Sequence, residues 1–158
     1  MKKLQRITAF LCLEYPHKSE ITKARLTKMV YLADWFSALL DGKQLTDIKW
    51  VFNHYGPYVD DVVDVARSSQ GFKIEHQSTT YGTSKHVISY KGDAGELGLK
   101  EREKEILTAV IEKTESMYFN EFVDYVYSTY PVKTKERYST FDLVRLAQKY
   151  TKEASKAE

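Results

Sequence analysis

Apolar residues fall at helical spacing over most of this chain and at strand-like spacing in three short runs. Residues 3 to 15 carry Leu4, Ile7, Ala9, Phe10, Leu11 and Leu13 on one broad face. Tyr15-Pro16 should close that helix, because proline disfavours the helical conformation in the residue before it. The strongest helix follows a cap at Thr22 or Ser19 and runs to about Leu40, with Leu26, Met29, Val30, Ala33, Phe36, Ser37 and Leu40 at helical spacing. It is nearly all apolar from Met29 to Ala33, which predicts a helix surrounded by core. Asp41-Gly42 supplies a left-handed stop. After a connector at 43–47, Trp50-Val51-Phe52 is strand-prone and Tyr55-Gly56-Pro57 forces a turn. Pro57 suits the first turn of a helix from Tyr58 to Ser68, with Val59, Val62, Val63 and Ala66 inward.

Phe72 to His76 and His86 to Tyr90 read as a β-hairpin around the polar stretch Thr79 to Ser84, and Lys91 to Gly98 as a glycine-rich connector. Ile106, Leu107, Val110 and Ile111 place a helix over Lys100 to Thr114. Phe122, Val123 and Val126 place another over Phe119 to Tyr130, which Pro131 should end. Val132 to Tyr138 is a charged loop. Thr140 is the expected cap of a last helix that packs Phe141, Leu143, Val144 and Ala147, and the tail from Thr151 should fray. The fold class is α+β and mainly helical: a central buried helix, surrounding helices and a small antiparallel hairpin or sheet. Residues 1–150 form one domain and 151–158 a charged tail.

Composition narrows the function. Hydrophobic residues make up 42% and charged residues 29% of the 158, the profile of a soluble globular chain. The net charge of +2 is too small for a nucleic-acid footprint, and Lys23, Arg25 and Lys28 at the start of the second helix read as a solvated face. Cys12 is single, sits in an apolar run and fits a reducing compartment as a buried hydrophobe. No run approaches the ~20 apolar residues of a membrane span, and Ile7 to Leu13 is too short for a signal peptide, so a cytoplasmic protein is expected. The four histidines, His17, His54, His76 and His86, are scattered. His76 and His86 face each other across the expected hairpin, but two ligands fall short of the usual three or four. No nucleophile elbow, phosphate loop or acid/base pair stands out. No catalytic, metal-binding or cofactor-binding residue is therefore assigned, and no cofactor is expected.

The informative stretch is Leu26 to Tyr58. A buried helix carries Tyr31, Asp34 and Trp35; a strand carries Trp50; His54-Tyr55-Gly56-Pro57 then turns the chain. Asp34 and His54 are polar groups among apolar neighbours, so each needs a partner, and they could bond each other or a backbone amide. In order and spacing, "LTKMVYLADW", "DGKQL" and "W…HYGPYVDDV" resemble the Panacea domain, also called the SocA-like antitoxin domain, over residues 4 to about 67. The matching positions are Leu26, Lys28 to Trp35, Gly42, Lys43, Leu45, Trp50, His54, Gly56, Pro57 and Val59. A "tH…pW" motif common in the C-terminal third of that family is missing here, and the hairpin from Phe72 to Tyr90 is particular to this chain.

The resemblance implies a non-enzymatic antitoxin that neutralises a cognate toxin protein by direct contact. The SocA-like branch is also linked to delivering its toxin to a cytoplasmic protease. Tyr31, Asp34, Trp35, Trp50, His54, Gly56 and Pro57 are then a structural signature. The excess of tyrosine, 12 in all, nominates Tyr55, Tyr58, Tyr81 and Tyr127, with Tyr125 and Tyr130, for partner contact. Two alternatives are binding modules of other kinds: a nucleic-acid-binding regulator, or a phage or mobile-element interaction protein without a toxin. A third is an enzyme built on Asp34, His54 and Tyr58.

Overall fold

The computed structural model describes residues 1–54, 56–78, 80–135 and 137–157. Helices are α1 (Lys3–Glu14), α2 (Lys23–Asp41), α3 (Asp61–Ser68), α4 (Glu101–Thr114), α5 (Phe119–Ser128), α6 (Tyr130–Thr134) and α7 (Leu143–Ala157). Strands are β1 (Trp50–Asn53), β2 (Gly56–Tyr58), β3 (Phe72–Ser78), β4 (Ser84–Tyr90) and β5 (Thr140–Phe141). The class is α+β and mainly helical, as the periodicity predicts.

The central helix forms where its apolar run lies. Thr22 caps α2 by accepting the Arg25 N–H at 3.2 Å, and Gly42 ends it at φ 70°. From Leu26 to Trp35 every residue of α2 is buried, against α1, α3, α4, α5 and α7. Burial all round a helix requires apolar residues all round it, and α2 supplies them at every position but a few. The expected solvated face on Lys23, Arg25 and Lys28 does not exist: Arg25 and Lys28 are buried, and burial lowers the Lys28 pKa.

Two antiparallel sheets flank the helices. In the first, in the order β2-β1-β5, Val51 faces Tyr58, Phe52 faces Pro57 and Asn53 faces Gly56, while Trp50 faces Phe141. In the second, β3 pairs β4 from Phe72↔Tyr90 to Ser78↔Ser84, which brings His76 opposite His86 with ring centroids 4.9 Å apart. The Ile88 N–H donates to the Ile21 carbonyl at 2.8 Å and holds this hairpin against the start of α2.

Several boundaries differ from expectation: Val132 to Thr134, read as loop, belong to α6, and α7 runs on through Thr151 to Ala157. Pro57 does not open a helix; it sits in β2, an edge strand where its missing N–H is tolerated, and α3 starts only at Asp61. Pro131 does not end a helix but stands in the first turn of α6, where a missing N–H also costs little. Thr140 does not cap α7. It pairs with Val51 in β5, and Asp142 caps the helix through Arg145 N–H to Oδ1 at 3.1 Å. For Thr140 a strand partner distant in sequence, Val51, decides the boundary, whereas Pro57 pairs with Phe52 only five residues away.

The turn between β1 and β2 depends on Gly56, which has φ 84°; a Cβ there would lie 2.8 Å from the Tyr127 ring. Gly56→Ala should therefore lower unfolding free energy by ~1–3 kcal/mol from backbone strain and crowding. Urea denaturation of the two proteins measures this, and an unchanged midpoint would contradict it.

Candidate functional site

The signature residues converge on one carboxylate. Asp34 is fully buried on α2. Its Oδ1 accepts the Thr46 N–H at 2.9 Å, and its Oδ2 accepts the Trp50 indole N–H at 2.9 Å, the Thr46 hydroxyl and the Gln44 amide at 3.2 Å. Gln44 also donates to the Thr46 and Ile48 carbonyls at 3.1 and 3.0 Å. All these partners of Asp34 are donors, which suits an ionised carboxylate. Burial nonetheless outweighs these hydrogen bonds and raises its pKa from 3.8 to about 6.

Tyr31, one turn before Asp34, is fully buried and packs edge-on against Trp50, with centroids 5.6 Å apart. The Thr129 hydroxyl donates its single proton to the Val126 carbonyl at 2.6 Å. Tyr31 is therefore the donor in its 2.8 Å bond to Thr129. Trp35 lies apart from this node; its ring meets Tyr150 of α7 edge-on at 6.2 Å.

The rest of the signature sits at the open end of the β1–β2 turn. His54 is exposed, and its Nε2 bonds the hydroxyl of Tyr138, a non-glycine residue held at φ 66°. His54 and Asp34 therefore do not serve each other. Tyr58 donates to Asp60 at 3.0 Å. Asp34, His54 and Tyr58 thus have separate partners, and the structure does not assemble them into one site. Among the described residues, no group of three or more His, Cys, Asp or Glu could hold a metal ion. Cys12 is buried, and its pKa is pushed up to about 12 by that burial.

The tyrosines nominated for contact are dispersed. Tyr55 lies outside the described residues. Tyr81 projects from the hairpin tip, 93% exposed. Tyr127 is half-buried beside Gly56 and Phe52. Tyr125 and Tyr130 instead join Trp35, Phe36, Leu39 and Tyr150 around a surface cavity of about 370 Å³. Sequence reading misses Tyr150, Thr46, Gln44 and Thr129, which sit in polar or charged surroundings. It also misreads Arg25, although that cation shares a helical stripe with Met29, Leu32 and Phe36.

The family model described as "Antitoxin SocA-like, Panacea domain" matches residues 26–131, more than half of the chain. The chain belongs to the Panacea domain family. The match begins at Leu26, inside α2, and takes in the Asp34 node, the β3–β4 hairpin and α4 to the start of α6; it runs well past residue 67 but leaves out residues 4–25, which the resemblance also covers. No curated protein and no solved structure matches the chain. No helix is long and apolar enough to cross a membrane.

A carboxyl pKa raised on folding stabilises the fold below pH 3.8 and loses that contribution as pH rises through about 6. Asn at this position does not titrate. The stability of the native chain relative to Asp34→Asn should therefore fall by ~3 kcal/mol as pH rises through this window, at 1.36 kcal/mol per pKa unit. Denaturant unfolding of both proteins at several pH values tests this; a constant difference would refute it.

Proposed function

We propose that this Panacea domain is an antitoxin that neutralises a cognate toxin protein by direct contact in the cytoplasm, without catalysis. The observation that carries the reading is the family match over residues 26–131. The site chemistry supports it: the polar residues of the signature are bonded to neighbouring side chains and backbone groups at separate places, and among the described residues they form no cluster poised for proton transfer. The aromatic surface supports it too. The Tyr130 and Tyr150 rings meet at a tilt with centroids 5.3 Å apart, Trp35 packs against Tyr150, and the Lys113 ammonium lies 5.2 Å from the Tyr125 ring centre. Rigid amphipathic rings grouped around a depression suit the buried centre of a protein interface. We place the main contact here, with Tyr58, Tyr127 and Tyr81 as further contacts.

The competing reading, a regulator that binds duplex DNA, lacks a comparable feature, because positive and negative residues are mixed and the net charge is +2.

Co-expression with the protein encoded next to it should rescue growth, and the two should co-purify. Tyr130→Ala combined with Tyr150→Ala should weaken that complex ~10-fold or more while the isolated domain keeps its helical circular dichroism. A harmless neighbour that does not bind would overturn the antitoxin reading. Undiminished affinity in the double variant would overturn the contact face alone.

A further inference from the structure

Arg25 is a costly side chain to bury. It is 1% exposed, and among the described residues no carboxylate lies within ion-pair distance. Its guanidinium donates to the Tyr15 hydroxyl at 2.7 Å and to the Met117 carbonyl at 3.2 Å, and it lies over the Phe122 ring at 4.7 Å. Its Nε has no partner. A buried cation normally finds an anion, because neutral acceptors and ring faces offset only part of its lost hydration.

Arg25 lines a cavity of about 490 Å³ between the start of α2, the β4 strand and the start of α5. Three other features of this cavity favour an anion. The backbone N–H groups of Lys23 and Ala24 belong to the first turn of α2, where no intrahelical carbonyl can take them, and both residues line the space. Lys23 and Lys85 add two partly exposed ammonium groups, against a single carboxylate, Glu20. Burial first, and then the charges of Lys23, His76 and Arg67, lower the His86 imidazole pKa, and of these causes only the neighbouring cations bear on an anion. The mouth is aromatic: Phe119 is 48% exposed and Tyr118 77%. A free inorganic anion would leave these rings uncovered, whereas a chain segment with an apolar residue beside an acid would cover them.

We propose that this cavity binds an acidic, partly apolar peptide segment of a partner protein, its carboxylate set against Arg25 and the start of α2 and its apolar neighbour against Phe119. The assignment rests on reading the chain as a protein-binding module, not on the partner being a toxin. It places a second contact away from the Tyr130–Tyr150 face.

The test is a titration of the ¹⁵N-labelled full chain with the blocked dipeptides Ac-Phe-Glu-NH2 and Ac-Phe-Gln-NH2, and separately with acetate and inorganic phosphate. The Glu peptide should give saturable shifts of the Lys23, Ala24 and Lys85 amides, with affinity ~10-fold above that of the Gln peptide. Lys23→Glu combined with Lys85→Glu, both at partly exposed positions, should lower that affinity by a similar factor. Equal binding of the two peptides, no saturable shift at these amides, or acetate or phosphate binding as tightly as the Glu peptide would each overturn the assignment. The peptide comparison uses the native chain alone, so it decides the matter even where the double variant misfolds. Because no toxin is used, failure here is separate from failure of the co-purification.

Discussion

One buried carboxylate sets the terms for the front half of this protein. Asp34 lies fully buried in the middle of α2, so its charge must be met by protein donors. The chain supplies them by folding the connector after α2 back along the helix and bringing β1 alongside. Gln44 and Thr46 come from that connector and the indole of Trp50 from the strand. Helix, connector and strand are thus tied together at one carboxylate. The spacing of the family signature follows from this geometry: the "ADW" helix, the "GKQL" connector and the strand tryptophan are three segments meeting at one side chain.

The same arrangement decides which side chains reach the surface. The polar groups that make the knot are turned inward, and what reaches the surface is what the knot does not need. Two kinds of surface remain. One is the tyrosine cluster where α5, α6 and α7 meet Trp35. The other is the cavity at the opposite end of α2, where Arg25 is held by neutral oxygens and aromatic faces.

Local signals in the sequence are good guides where one helix or one hairpin decides the matter. The Thr22 cap, the Gly42 stop, the apolar run of α2 and the hairpin around residues 79–83 are all short-range features. What is illegible depends on contacts across the chain. Thr140 looks like a helix cap until Val51 claims it as a strand partner, 89 positions away. Pro57 and Pro131 each carry the same local meaning, a break, but the neighbouring segment decides which side of the break is helix. The acceptor Asp34 is visibly in need of a partner, yet its donors lie in a polar connector with no periodicity to mark them. Arg25 carries a readable warning, a cation on an apolar stripe, that the mixed charges nearby obscure.

The family match ends at Pro131, but the first sheet does not. β5 lies beyond it, and Phe141 stacks on Phe52 with centroids 6.0 Å apart. A protein trimmed to the matched region would keep the Asp34 knot yet leave β1 with a bare flank of backbone donors and acceptors beside exposed aromatic rings. Such a flank is a template for strands of other molecules. The segment after Pro131 therefore covers a strand edge that would otherwise stand open to other chains.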